Sequence, residues 1–170
     1  NHPNIVQVTD FDCVEDVYYL AMEFVHGVDL RRLLRRAEQR RKPLPATLAL
    51  YIASQILRGL HYAHSFARDG KPQQIVHRDI SPHNVMVSFQ GEVKVTDFGI
   101  ARIVQHVSVT ATGVIKGKLA YMAPEQSESS KVDHRADLFS VGVILWEMLC
   151  RQRLFAGENE LMMLENLREL

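Results

Sequence analysis

Cysteine is scarce in this sequence, which argues against a domain built on cysteine metal or redox motifs and against one built on disulfides. Only Cys13 and Cys150 occur among 170 residues, and they are too far apart to form a metal-binding or redox motif. Both lie in apolar stretches, so we expect buried free thiols, which suit a reducing compartment. The sequence therefore argues against a disulfide framework and favours a cytoplasmic location.

Excess charge and long apolar runs are absent as well. The 20 basic and 20 acidic side chains cancel to a formal net charge of zero, so nothing draws the whole chain to nucleic acid or to an anionic membrane. The longest apolar run, Leu138 to Cys150, holds polar residues and is too short to cross a bilayer. We expect no nucleic-acid partner and no membrane contact from this segment, and the oligomeric state stays open.

Short strands come first in the chain, and longer helices follow. Residues 5–12 alternate between apolar and polar side chains, and residues 17–25 are rich in Val, Tyr and Phe. Both patterns are typical of strands, and together they predict a hairpin. Gly27 is expected to end the second strand, and Asp29 to cap a helix that continues through Leu34.

A longer helix and a second hairpin are predicted in the middle of the chain. The helix has one buried face at helical spacing, formed by Ala49, Ile52, Ala53, Ile56, Leu57 and Leu60. A polar loop follows at Arg68 to Gln74. Val85 to Val87 and Val93 to Val95 are short β-branched runs joined by a turn at Gly91, which predicts the hairpin. Arg135 to Leu149 is apolar nearly all round, which predicts a helix buried in the middle of the domain.

Four short motifs carry residues suited to phosphate chemistry. In chain order they are His77-Arg78-Asp79-Ile80 with Asn84 after it, Asp97-Phe98-Gly99, Ala123-Pro124-Glu125, and Asp137. Phosphoryl transfer from ATP requires metal ions that neutralise phosphate charge and an acceptor hydroxyl held in line. Asn84 and Asp97 offer the hard oxygen ligands that magnesium prefers, and Asp79 offers a carboxylate for the hydroxyl.

The run from His77 to Glu125 resembles the catalytic and activation segments of the eukaryotic-like (Hanks-type) serine/threonine protein kinases, in a bacterial-looking form. The resemblance implies an α+β, protein-kinase-like fold. Residues 1–25 are then the end of the N-lobe and the hinge, with the last two strands of the N-lobe sheet. Residues 26–170 are a mainly α-helical C-lobe, truncated in its last helices. The implied activity is phosphoryl transfer to Ser or Thr of protein substrates, with ATP and Mg²⁺ as cofactors.

The resemblance also implies roles for individual residues of the catalytic centre. Asp79 matches the family's catalytic base, and Asn84 and Asp97 match its magnesium ligands. A His-x-Asp motif followed by Asn also occurs in small-molecule phosphotransferases such as aminoglycoside kinases. Ala123-Pro124-Glu125 after a long loop, followed by Asp137, favours a protein kinase instead.

The nucleotide site and the frame around it follow from the same resemblance. Met22 matches the gatekeeper, Glu23 to Val25 match the adenine-contacting hinge, and Met86 matches the apolar residue beneath adenine. The frame residues fall into three groups. They are His77 and Phe98 of the regulatory spine, with Gly99 beside them; Glu125, which anchors the end of the activation segment; and Asp137, which holds the catalytic loop by its backbone.

Regulation by phosphorylation is implied by Arg78. The family uses the arginine at this position to bind a phosphate on the activation loop. Candidate acceptors in the polar segment before Ala123 are Thr110, Thr112 and Ser108, with plain loop residues as the alternative.

Two substitutions and one gap separate this chain from the usual kinase pattern. Ser81 stands where serine/threonine kinases usually carry a Lys that meets the transferred phosphate, and Lys118 stands where they usually carry a Thr. The sequence does not show whether Lys118 replaces the missing lysine. Neither a glycine-rich loop nor a Val-Ala-x-Lys strand occurs, so we expect residues 1–170 alone to be inactive. The alternative function is a non-catalytic, pseudokinase-type binding module, against which the intact Asp79, Asn84 and Asp97 argue.

One basic run and one pair of histidines leave alternatives open. The basic residues are Arg31, Arg32, Arg35, Arg36, Arg40, Arg41 and Lys42. Such a run can steer acidic peptides or phosphate to the protein, or it can be the solvated face of a helix whose long stems cover apolar surface, which is the commoner case. His61 and His64 lie at neighbouring turns of the long helix, where we expect packing or capping rather than metal binding.

Overall fold

The computed structural model describes residues 1–15, 17–98, 119–128 and 132–155. Its strands are β1 (Val8–Val14), β2 (Val17–Met22), β3 (Gly27–Asp29), β4 (Ala67–Arg68), β5 (Lys71–Pro72), β6 (Val85–Ser88) and β7 (Val93–Val95). Its helices are α1 (Leu30–Gln39), α2 (Ala46–His64), α3 (Pro124–Glu128) and α4 (Arg135–Cys150), with 3₁₀ turns at Pro82–Asn84 and Leu119–Tyr121. Small sheets combined with long helices confirm the predicted α+β class.

The first hairpin forms as predicted but begins later. β1 and β2 pair antiparallel, with Val14 opposite Val17. Ile5 is outside β1 and instead forms a single bridge with Val95. The Val6 amide donates to the Val95 carbonyl oxygen at 2.8 Å, so the chain before the hairpin is fastened to the strand that leads into the candidate metal ligand.

Helix α1 begins where its cap was predicted. The Asp29 backbone is extended, and its side-chain oxygen accepts the Arg32 amide at 2.7 Å, which satisfies one of the unpaired amides of the first turn. The prediction that Gly27 ends the second strand is wrong. Gly27 is instead the first residue of β3, which pairs with β6. A Cβ at Gly27 would lie 2.1 Å from the Val87 carbonyl oxygen, so only glycine allows this close pairing.

Helices α2 and α4 pack against each other and form the core, but each is more exposed than predicted. Leu57 is 40% exposed, because it lies about 100° round the helix from Ile56, at the edge of the buried stripe. On α4, Leu138, Trp146 and Leu149 are also exposed. The inner face of α4 is covered by α2 and the turn at Leu119–Tyr121, whereas its outer face is exposed. The prediction of a helix buried on all sides is therefore wrong.

Two smaller predictions need correction. Cys13 and Cys150 are free, as expected, but both are exposed, because β1 is exposed along its whole length and Cys150 ends α4 on its outer side. The stretch from Arg68 to Gln74 contains the short antiparallel pair β4–β5 rather than a plain loop. None of the described helices combines the length and apolar character needed to cross a membrane.

Candidate active site

The Asp137 carboxylate is the buried centre of the candidate active site. Oδ2 accepts the His77 amide at 2.9 Å, and Oδ1 accepts the Arg78 amide at 2.8 Å. His64 Nε2 lies 2.7 Å from Oδ2, so the His64 ring is hydrogen-bonded to the same carboxylate. Asp137 is 1% exposed, so both of its side-chain oxygens meet their hydrogen-bond partners away from solvent. One side chain of α4 thereby fixes the backbone of the loop that carries Asp79.

Arg78 has a backbone conformation that the loop must hold against strain. Its φ is +66°, in the left-handed region that non-glycine residues rarely adopt, and such residues cluster at functional sites. The Arg78 carbonyl oxygen accepts Gln126 Nε2 at 2.8 Å, while Gln126 Oε1 accepts the Ala123 amide at 3.1 Å. Gln126 therefore joins α3 to the loop that carries Asp79, a contact that was not predicted from the sequence.

His77 connects the catalytic loop to the end of β7. Its Nδ1 accepts the Asp79 amide at 3.2 Å, so the ring proton lies on Nε2, which donates to the Thr96 carbonyl oxygen at 2.8 Å. The ring is fully buried, and the Phe98 ring meets it edge-on with a centroid distance of 4.6 Å. The two predicted spine residues are thus in contact.

Asp79 and Asn84 are hydrogen-bonded to each other. Asn84 Nδ2 donates to the Asp79 carbonyl oxygen at 2.7 Å and to Asp79 Oδ2 at 3.0 Å. Because both bonds use the amide nitrogen, Asn84 presents Oδ1 as its acceptor atom. The Asn84 backbone carbonyl accepts the Thr96 amide at 3.0 Å, which brings the residue before Asp97 against the loop.

Asp97 lies two residues beyond the end of β7, with a left-handed backbone (φ +65°) and a half-buried side chain. Asn84 Oδ1 and the Asp97 carboxylate are hard oxygen donors of the kind that Mg²⁺ takes from proteins. No group of three or more His, Cys, Asp or Glu side chains suited to a metal is found within the described ranges. Magnesium in nucleotide sites typically takes one or two carboxylates and completes its shell with phosphate and water, so this donor set fits the ion.

The residues predicted to bind adenine lie on two neighbouring segments. Met86 is half-buried on β6, opposite Asp29 of β3, and Met22 Sδ lies 3.9 Å from Thr96 Oγ1, just before Asp97. The Glu23 carboxylate is held by Lys94 Nζ at 2.7 and 2.8 Å, and this bond keeps the pKa of Glu23 below its usual value. Lys94 was not predicted from the sequence.

Val25 is half-buried between β2 and β3, and Glu125 is half-buried in the first turn of α3. Ser81 is 1% exposed, and its hydroxyl has no hydrogen-bond partner in the described part of the chain.

Five residues singled out in the sequence lie outside the described residues. They are Gly99, Ser108, Thr110, Thr112 and Lys118.

A second buried carboxylate, Glu147, connects α4 to α1 and to the turn before Ala123. Arg31 lies 2.9 Å from Glu147 Oε1, and the Tyr121 hydroxyl donates to Oε2. Burial raises the pKa of the Tyr121 phenol, and the bond to Glu147 adds to this effect. No local sequence signal predicted this cluster, because its members are far apart in the chain.

Comparison with known proteins gives a consistent result. A family model described as the protein kinase domain matches residues 1–170. The tyrosine-protein kinase MasK of Myxococcus xanthus is 46% identical over 167 residues, which cover 98% of this chain and 26% of that protein.

Two further relatives are serine/threonine-protein kinases by name. PrkC of Bacillus subtilis is 36% identical over 159 residues, covering 94% of this chain and 23% of that protein. PknL of Mycobacterium tuberculosis is 40% identical over 143 residues, covering 84% of this chain and 33% of that protein. The chain therefore spans about a quarter to a third of the length of these relatives.

Proposed function

This chain belongs to the protein kinase family, and from that premise we propose that the complete protein transfers the γ-phosphoryl group of Mg-ATP to side-chain hydroxyls of protein substrates. The observation that carries the proposal is the hydrogen bonding of Asn84 to Asp79, beside the strand end that presents Asp97. The prediction of a bacterial-looking kinase of the Hanks type is confirmed by the family match and the relatives.

Each residue of this centre has a distinct chemical task in the proposed reaction. Asp79 accepts a hydrogen bond from the substrate hydroxyl and orients its oxygen for attack on the γ-phosphorus. It takes up the hydroxyl proton as the new P–O bond forms and the bond to the bridging oxygen breaks, with ADP as the leaving group. Asn84 Oδ1 and the Asp97 carboxylate would hold Mg²⁺. When bound, the metal would neutralise the charge of the transferred phosphoryl group and its neighbours. The bonds of Asp137 to the His77 and Arg78 amides hold the backbone that leads into Asp79 in a preorganised position.

The nucleotide base is proposed to lie between the hinge and β6. Glu23 and Val25 would contact adenine along the hinge, with Met86 beneath the ring and Met22 behind it. The Glu23 carboxylate is bound to Lys94, so the hinge backbone rather than this side chain is left to bind the base.

The division into residues 1–25 and 26–170 and the cytoplasmic location stay predictions. Regulation through Arg78 also stays a prediction.

The acceptor is proposed to be serine or threonine, with tyrosine as a second candidate. Two of the three relatives described are named serine/threonine kinases. The tyrosine candidate is favoured by Ser81, which leaves no lysine side chain beside Asp79 at this loop position. It is also favoured by the 46% identical relative, which is named a tyrosine kinase.

Matched peptides distinguish these acceptors. Given to the complete protein with Mg-ATP, peptides that differ only in a central Ser, Thr or Tyr should show a kcat/KM about tenfold or more higher for Ser or Thr. A Ser81→Ala variant is the control, since removing an unpaired hydroxyl should cost the fold little. Equal or faster transfer to Tyr would establish the second candidate instead. Nucleotide binding without any transfer would favour the binding-module alternative.

A further inference from the structure

The outer side of α1 is a strongly basic surface. Leu30 is fully buried and Leu33, Leu34 and Ala37 are half-buried on the inner side. The exposed basic residues on the outer side and just beyond the helix are Arg32, Arg35, Arg36, Arg40, Arg41 and Lys42. We call these six residues the basic face. All six are exposed, and the apolar residues of α1 are themselves buried or half-buried, so covering apolar surface does not account for so many basic residues.

Helix stability does not explain the basic face either. The first turn of α1 contains no acidic residue, although the amino end of a helix favours negative charge. Arg32 and Arg36 are four residues apart, as are Arg36 and Arg40, and like charges at this spacing destabilise a helix. Only the basic residues at the carboxyl end are favoured by the helix dipole. This arrangement indicates a role outside the helix itself.

The basic face also lacks acidic partners within the described ranges. The ion pairs found there include Arg31 with Glu147, on the inner edge of α1, but none that involves a residue of the basic face. Glu38 is the one carboxylate within α1. The surface therefore presents several uncompensated positive charges, which attract an anionic partner most strongly at low salt.

A small cavity lies between α1 and the carboxyl end of α4, and Arg35 is the residue of the basic face that lines it. Its volume is about 90 Å³, more than one water molecule occupies. Leu34, Leu44 and Met148 give it an apolar lining. The charged residues at its wall are Arg31, Arg35 and Arg151 together with Glu38 and Glu147, and Glu147 is paired with Arg31. A partner that fits both features carries acidic residues around one aliphatic side chain.

We propose that the basic face docks an acidic segment of the protein substrate, with one aliphatic side chain in this cavity, one carboxylate on Arg35 at its edge, and further carboxylates on Arg32 and Arg36 where the segment crosses the outer side of α1. The proposal rests on the proposed kinase function and names a substrate class for it. Helix α1 contacts the turn at Pro82–Asn84, so a segment docked here lies beside the catalytic loop. The docked segment raises the local concentration of the acceptor hydroxyl at Asp79.

A protein partner suits this surface better than nucleic acid or membrane. Residues 30–44 contain no aromatic side chain, and single-stranded nucleic acids are usually bound with aromatic stacking. Membrane-surface helices turn a large apolar face outward, whereas the apolar side of α1 is turned into the protein. The cavity accommodates one side chain, which is the scale of peptide recognition.

Binding is measured on the complete protein carrying Asp79→Asn, so that no transfer interferes. The probe is a fluorescein-labelled peptide with glutamates around a central leucine, followed by fluorescence anisotropy. The triple variant Arg32→Glu, Arg35→Glu, Arg36→Glu should weaken binding about tenfold or more, and added salt should weaken it in the unchanged protein. Replacing the peptide's leucine with serine should also weaken binding.

The matched control reverses three exposed basic residues elsewhere, in Arg58→Glu, Arg68→Glu, Lys71→Glu. It changes the net charge equally and should bind the peptide as the unchanged protein does. Equal loss in both triple variants, or equal binding of a glutamine version of the peptide, would overturn the proposal. Tighter binding of single-stranded RNA or phosphatidylserine vesicles to the basic face would also overturn it.

Transfer assays separate this proposal from the proposed function. With Asp79 intact, the triple variant at Arg32, Arg35 and Arg36 should raise KM for a substrate with the acidic segment. It should leave kcat/KM unchanged for the same substrate without that segment. If the unchanged protein transfers phosphate to neither substrate, the kinase assignment is contradicted. The peptide-binding result would still decide whether the docking site exists.

Discussion

Replacing Asp79 with asparagine is expected to lower the turnover of the complete protein by about 10²- to 10⁴-fold, with little loss of ATP affinity. The asparagine can still meet Asn84 through its amide group, so the loop geometry should survive. It cannot take up the proton of the acceptor hydroxyl, which is the task proposed for the carboxylate. Steady-state kinetics with Mg-ATP and a protein substrate give the turnover, and nucleotide titration gives the affinity.

A surface carboxylate provides the matched control for this change. Asp133 is exposed and its carboxylate bonds to Arg135, so Asp133→Asn removes one charge outside the loop. Its turnover should stay within about twofold of the unchanged protein, as is usual for surface substitutions. Unchanged turnover in Asp79→Asn would show that Asp79 is not the base.

Replacing Asp137 with alanine is expected to reduce the free energy of unfolding by about 3–5 kcal/mol and to abolish transfer. The change leaves the buried amides of His77 and Arg78 without an acceptor. The strained Arg78 backbone then loses a bond that holds it. Denaturant unfolding of the complete protein, followed at the kinase domain, measures the loss.

Asp137→Asn is the informative companion, because it keeps the shape and one acceptor oxygen but loses the charge. Its stability should lie between those of the unchanged protein and Asp137→Ala. A fully stable and active Asp137→Ala would contradict the structural role assigned to this carboxylate. A variant that keeps its stability but loses transfer would locate the effect in the loop alone.

Local patterns predicted much of the secondary structure, because their causes are local. The Asp29 cap and the hairpin of β6 and β7 depend on neighbouring residues, and both are confirmed. Leu57 was misassigned because hydrophobic spacing does not show how wide the buried stripe is. The exposure of Cys13 depends on what covers β1, which no local pattern specifies.

The candidate site was predicted from motif order, whereas its supporting contacts were not. Asp79, Asn84 and Asp97 belong to short motifs whose sequence is informative by itself. Lys94 reaches Glu23 across 71 positions, and Arg31 reaches Glu147 across 116. Such pairs are brought together only by the folded chain, so one sequence gives no signal for them.

The most direct test is the transfer of labelled phosphate. The complete protein, incubated with Mg-ATP labelled at the γ-phosphorus, should place the label on hydroxyl side chains of a protein substrate. The label should depend on magnesium and disappear in Asp79→Asn. If no label reaches protein, or if a small molecule takes it instead, the central claim that this chain carries the catalytic residues of a protein kinase is contradicted.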